Sequence, residues 1–177
     1  MKRLIGALLG LILALTGAQI SPVRTDAALT AFSFSHSGMS TDQIYTYSVR
    51  MQDGRMLADF ELYCRYEILD VALDAADVEA LRALIDAFDL WSWNGFQYSN
   101  SCILDGDSFS MRADFADGTQ LSAWGSNAYP DGYSAGAQAI CAYFETLMEK
   151  YEIDPERMEM AGSEWEVQRS SLEEIRR

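Results

Sequence analysis

Carboxylates in a loop between two predicted strands are the first residues whose spacing could support chemistry. Asp105 and Asp107 flank Gly106, and Asp114 and Asp117 follow in the next hairpin. Paired carboxylates can act as general acid and base or bind calcium. The run does not fit the calcium-loop pattern D-x-[DN]-x-[DN]-G, because an oxygen ligand at the fifth position is missing. Asp105 and Asp107 are therefore candidates for an acidic site, and the alternative is turn formation, which Asp and Gly favour.

Aromatic residues gather in two stretches between predicted regular elements. Trp93 belongs to the first stretch, and Trp124 and Tyr129 belong to the second. Aromatic side chains on loops can stack on sugars or peptides, or they can seal the core where helix ends meet a sheet. We predict that these three side chains form one exposed ligand-binding patch, since loops at neighbouring helix ends can meet. Trp91 and Tyr133, in contrast, are in phase with the helix stripes and are predicted to be core residues.

The rest of the composition excludes several classes of site. His36 is the single histidine of the chain, which rules out a metal centre built on several imidazoles. Because it follows Phe32 and Phe34 on a predicted strand, we interpret it as a structural or edge residue. Neither a G-x-S-x-G motif nor a phosphate-binding glycine loop is present. We therefore predict no metal site and no cofactor.

The charge of the chain also limits its partners. Asp and Glu number 27 against 13 Lys and Arg, so the formal net charge is −14 at pH 7. Nucleic-acid binding relies on Lys and Arg to neutralise phosphates, so this charge argues against a nucleic-acid partner.

Residues 1–18 have the pattern of a secretory signal. Lys2 and Arg3 precede a short apolar run, and Thr16-Gly17-Ala18 supplies the small residues of a cleavage site. The alternative is an uncleaved membrane anchor, but the apolar run is shorter than the roughly 20 residues that span a bilayer. We predict a secreted or extracytoplasmic protein that begins near Gln19, with membrane contact only if the segment is not cleaved.

The three cysteines are too few for a disulfide framework, and at most one internal pair can form. Cys64 and Cys141 fall at apolar positions of a strand and a helix, which favours buried free thiols, whereas Cys102 lies in a polar loop.

Two-residue alternation predicts strands near residues 32–36, 45–51, 56–62, 69–73, 109–115 and 121–123. Asp53-Gly54 and Asp117-Gly118 predict tight hairpins, because Gly accepts the positive φ that such turns need. Asp74 and Asp77 resemble a capping box that starts a helix over residues 75–90. The apolar stripe of this helix ends at Phe88, which we predict to be a core residue.

A second helix is predicted from Pro130 or Asp131 to about Tyr151, where apolar residues recur every three or four positions. Residues 19–29 show no period and are predicted to be a flexible leader. We place an α+β domain over residues 30–153 and a charged C-terminal helix or tail over residues 154–177. The predicted fold has two layers, a mainly antiparallel sheet with both helices packed on one face.

Three segments carry a resemblance to known proteins: residues 91–96 (WSWNGF), 104–110 (LDGDSFS) and 124–130 (WGSNAYP). In these segments the chain resembles an uncharacterised family of exported Firmicutes proteins, many of them lipoproteins. The resemblance covers roughly Phe32 to Tyr151 and implies a small α+β domain outside the cytoplasmic membrane. It implies no reaction and no catalytic residue. This chain departs from many relatives because it has no cysteine near the predicted cleavage point that could carry a lipid.

We predict a non-enzymatic exported binding or interaction domain, because a reactive constellation should leave nucleophiles, bases or ligands that this composition mostly lacks. Its partner would be an unidentified protein or a glycan. One alternative is a carboxylate-dependent hydrolase that acts on glycan through Asp105 and Asp107. Another is a structural envelope protein.

Overall fold

Eight strands and two α-helices make up the described part of the chain, residues 24–39, 44–62, 66–103, 106–153 and 159–160 of the computed structural model. The predicted signal segment and the predicted C-terminal helix, apart from residues 159–160, lie outside these ranges. The strands are β1 (Leu29–Ser37), β2 (Tyr45–Gln52), β3 (Arg55–Leu62), β4 (Tyr66–Ala72), β5 (Gln97–Ser99), β6 (Ser108–Phe115), β7 (Gln120–Ser126) and β8 (Glu159–Met160). The helices are α1 (Ala75–Ala87), a 3-10 helix (Leu90–Trp93) and α2 (Tyr133–Lys150).

The strands form one sheet in the order β5-β7-β6-β1-β2-β3-β4-β8. Neighbouring strands run antiparallel, except that β5 runs parallel to β7. Together with α1 and α2, this sheet confirms the predicted α+β class and its mainly antiparallel pairing. The sequence did not predict β5, because a polar strand of three residues has no alternation to detect.

One face of the sheet carries the core, as the alternation of the strands predicts. Phe144 of α2 lies at its centre, with its ring centroid 4.5 Å from Tyr47, 5.8 Å from Phe60 and 6.3 Å from Phe32. Helix α1 covers the same face, since its Arg82 guanidinium lies 5.3 Å from the ring of Phe115. Both helices therefore pack on the same face of the sheet.

A polar cluster joins the start of α1 to the end of α2. The predicted capping box is confirmed: the Asp74 side chain accepts from the Asp77 N–H at 2.9 Å, and Asp77 accepts from the Asp74 N–H at 3.2 Å. The Lys150 ammonium pairs with both carboxylates, at 2.8 and 2.6 Å, and the Tyr151 hydroxyl donates to Asp77. The hydrogen bond from Lys150 lowers the pKa of Asp74 below its usual value. This cluster fixes the C-terminal end of α2 over the sheet.

Both predicted hairpins are present, and glycine has the backbone conformation that each needs. Asp53 and Gly54 join β2 to β3 with φ values of 51° and 76°. Gly118 lies between β6 and β7 with a φ of 85°. In the Asp53-Gly54 turn, positive φ at two successive residues matches the twist of the turn to that of its flanking strands.

Helix α1 ends earlier than predicted, and the core prediction for Phe88 is wrong. The helix stops at Ala87, and Phe88 is 44% exposed. Asp89 then adopts a left-handed conformation with a φ of 50°, and the chain enters the 3-10 helix. This 3-10 helix buries Leu90 and Trp91. These two side chains fill the core position that the apolar stripe of the sequence predicted for Phe88. The core prediction for Trp91 is confirmed.

A bulge in β4 overturns the predicted alternation of that strand. Phe60 pairs with Ile68 and Ala58 pairs with Val71, so two residues of β4 oppose Asp59 alone. The extra residue leaves Leu69 exposed on this strand. The Asp59 carboxylate accepts from the backbone N–H of Asp70 at 2.9 Å, which holds the bulge in place.

The sheet face opposite the helices is polar, with the Ser35 and Ser110 hydroxyls 2.7 Å apart and an ion pair between Arg112 and Asp114. No helix among the described residues is long and apolar enough to cross a membrane.

We expect truncation of Phe144 to destabilise the protein far more than truncation of Phe88. Phe144→Ala removes a fully buried ring, so the free energy of unfolding should fall by about 3–5 kcal/mol. Phe88→Ala is the matched control, because Phe88 is exposed. It should lower the free energy of unfolding by less than about 1 kcal/mol. Urea denaturation of the two variants measures both values, and equal losses would contradict this assignment of the core.

Candidate functional site

An open cleft of about 440 Å³ lies between the end of β1, the start of β2 and residues 133–145 of α2. His36 and Tyr45 line it from the sheet. Helix α2 lines it with residues spaced four apart, and their neighbours Ser134, Gln138 and Ala142 line it as well. The four-residue stripe consists of Tyr133, Ala137, Cys141 and Glu145.

Strand register and small side chains explain why the cleft forms here. His36 and Tyr45 are cross-strand partners of β1 and β2, and their rings stack with centroids 5.5 Å apart. They lie next to the pair Phe34 and Tyr47 on the helix-facing side of the sheet, but α2 meets them with small side chains such as Ala137 and Cys141. The large side chain that closes the core, Phe144, lies farther along the helix. Volume is therefore left open at the ends of these strands.

The Cys141 thiol donates a hydrogen bond to the Tyr45 hydroxyl at 3.2 Å and ties α2 to β2 across the cleft. Burial raises the pKa of the Cys141 thiol, and burial raises the pKa of Tyr45 as well. Burial also raises the pKa of Tyr133, whose hydroxyl is buried without a hydrogen-bond partner among the described residues. These groups are neutral at physiological pH, so the inner part of the cleft is polar but uncharged.

This arrangement does not activate Cys141 as a nucleophile. A reactive cysteine needs a lowered pKa, which a nearby cation or helix N-terminus provides. Here the thiol contacts a neutral phenol, and the carboxylate of Glu145 further raises its pKa. Within the described ranges, no group of three or more His, Cys, Asp or Glu side chains is placed to hold a metal ion.

The three aromatic residues predicted as one exposed patch do not form one. Trp93 is 1% exposed, because the 3-10 helix turns it inward, and its Nε1 donates to the carbonyl of Asp131 at 3.2 Å. Trp124 is 43% exposed and pairs with Ser110, on the polar face away from the helices. Tyr129 is 40% exposed and lies on the other side, with its ring centroid 4.5 Å from that of Tyr133. The patch prediction is therefore wrong in its geometry.

Of the predicted acidic pair, the structure describes Asp107 alone, and Asp105 lies outside the described residues. The backbone of Asp107 is bonded twice to Asn127: its N–H donates to the Asn127 side chain at 3.0 Å, and its carbonyl accepts from the Asn127 N–H at 2.8 Å. These bonds favour the turn interpretation for Asp107. The acidic site itself stays a prediction.

Sequence reasoning missed the cleft, although two of its signals are present in the chain. The sequence predicts a structural or edge role for His36 and a buried free thiol at Cys141. It does not link either residue to Tyr45. Cys141 is free and half-buried, and Cys102 is free and exposed. The spacing of four between Tyr133, Ala137, Cys141 and Glu145 does place one stripe on α2. What the sequence alone lacked was the register that brings His36 and Tyr45 opposite this stripe.

No protein-family model matches the chain, and a search of curated proteins found no match. The resemblance to exported Firmicutes proteins therefore stays a prediction.

We expect Cys141 to react more slowly with thiol reagents than the exposed Cys102, and its own rate to rise with pH. A raised pKa lowers the thiolate fraction at any given pH, and burial limits access. The comparison uses two variants with one cysteine each, Cys64→Ser/Cys102→Ser and Cys64→Ser/Cys141→Ser, alkylated with iodoacetamide across a pH series. Faster alkylation of Cys141 at neutral pH would show an activated thiol and contradict a non-catalytic cleft.

Proposed function

We propose that this protein is an exported, non-enzymatic binding domain whose cleft between β1, β2 and α2 holds a small organic molecule. The observation that carries the proposal is the cleft itself. Its volume of about 440 Å³ lies within the roughly 300–1,000 Å³ that is usual for small-molecule sites.

The chemistry of the walls supports a bound organic molecule. Rings of His36, Tyr45 and Tyr133 supply apolar surface, and Ala137 and Ala142 add more from the helix. A few polar groups among apolar walls are typical of sites that orient a ligand without reacting with it. Export is the second part of the proposal, and it is supported by the signal-like pattern of residues 1–18.

The cleft favours a small ligand over the protein partner expected from the sequence. A protein partner would need a broad exposed surface, and the predicted patch of Trp93, Trp124 and Tyr129 is divided between the core and two faces of the sheet. A concave site favours a small ligand instead.

Filling the cleft should abolish binding of a small aromatic probe. The probe is 2-phenylethanol, a neutral molecule, and binding is measured by saturation-transfer NMR. Ala137→Phe places a ring in the cleft and should remove the signal. Ala135→Phe, two residues away on an exposed position of α2, is the matched control and should keep it.

Two results would overturn the proposal. They are a native chain that binds none of 2-phenylethanol, 2-phenylethylamine and phenylacetate, and equal binding of 2-phenylethanol by the native chain and both variants. Circular dichroism checks that Ala137→Phe is folded. If it is not, Ala142→Trp at the exposed rim of the cleft replaces it, with the same expected loss.

A further inference from the structure

Charge in the cleft is confined to one acidic side chain. Of the nine lining residues none is Lys or Arg, and Glu145 is the one that carries a formal charge when histidine is neutral. It stands one helical turn after Cys141, close enough for its charge to raise the pKa of that thiol. A carboxylate therefore lies at the edge of an open cleft whose Cys141, Tyr45 and Tyr133 side chains are polar but uncharged.

We propose that the ligand of this cleft is an organic ammonium: a protonated amine on an aromatic or aliphatic body. This inference rests on the proposed function and deepens it by naming the ligand class. The apolar body would lie against Tyr45, Tyr133 and Ala137, and the ammonium group would pair with Glu145 at the rim.

Hydrogen bonding at the rim fits the same ligand. An ammonium group has three N–H donors, and a carboxylate can accept only some of them. Ser134 and Gln138 line the cleft from α2 and are exposed, so each can offer an oxygen acceptor. An anionic ligand would meet no cation among the lining side chains.

The charge of the whole chain favours the same sign of ligand. With a formal net charge of −14, the protein attracts cations and repels anions as they approach. Such steering alone does not give a site, because it acts over the entire surface. The site comes from the combination of a cavity of ligand size with one carboxylate at its edge.

Three probes of nearly equal size and different charge test the proposal: 2-phenylethylamine, 2-phenylethanol and phenylacetate. NMR titration of the native chain should show the amine binding about two- to fivefold more tightly than the alcohol, as expected for an exposed ion pair. Phenylacetate should bind most weakly. Added salt should weaken binding of the amine and leave that of the alcohol nearly unchanged.

Glu145→Gln should remove most of the advantage of the amine over the alcohol. Glu149→Gln, one turn farther along α2 and outside the cleft lining, is the matched control and should preserve it. The two variants lose the same formal charge, so a general effect of net charge would affect both equally.

The outcomes separate this inference from the proposed function. If the alcohol binds in the cleft as tightly as the amine, the binding function stands and the ammonium inference fails. If the amine binds equally well to Ala137→Phe, it binds elsewhere on the acidic surface and the inference fails. If none of the three probes binds, both fail.

Discussion

The packing of Phe144 against the sheet is the interaction on which the rest of the structure depends. Its ring lies among Phe32, Tyr47 and Phe60, side chains from three adjacent strands. Burial of one ring in such a site is worth several kcal/mol, a large fraction of the stability of a small domain. Because α2 is rigid, fixing Phe144 also fixes the rotation of the helix. The stripe that runs from Tyr133 to Glu145 is then held at the boundary between buried and exposed sides, over the ends of β1 and β2.

Polar contacts at the C-terminal end and in the middle of α2 complete this placement. Lys150 pairs with Asp74 and Asp77 at the C-terminal end, where α1 begins. In the middle of the helix, the Cys141 thiol donates to Tyr45 across the cleft. The start of α2 is held as well, because the Trp93 Nε1 donates to the carbonyl of Asp131 just before it, so the helix is fixed along the length of the cleft. Its two phenols and its thiol are neutral, and its carboxylate lies at the rim, so burying these three groups requires no buried charge to be stabilised.

Local patterns in the sequence predicted much of the fold, since alternation, Asp-Gly turns and the capping box each report on a few neighbouring residues. The errors arose where a distant contact decided the outcome. Phe88 fits the stripe of α1, but the left-handed turn at Asp89 gives its place to Trp91. Trp124 was expected in an exposed patch on loops, but it lies on β7. Its position in the alternation of that strand places it opposite Ser110, on the face away from the helices. The cleft depends on the pairing of His36 with Tyr45, and strand register between distant segments is not encoded in any local period.

Binding of an organic ammonium in the cleft, as we propose, can be observed through intermolecular nuclear Overhauser effects between 2-phenylethylamine and the protein. Binding in the cleft predicts contacts from the phenyl protons to the Ala137 methyl group and to the ring protons of Tyr45. It also predicts contacts from the methylene next to nitrogen to the side chain of Glu145. Contacts confined to the exposed indole of Trp124, on the opposite face of the sheet, would contradict it.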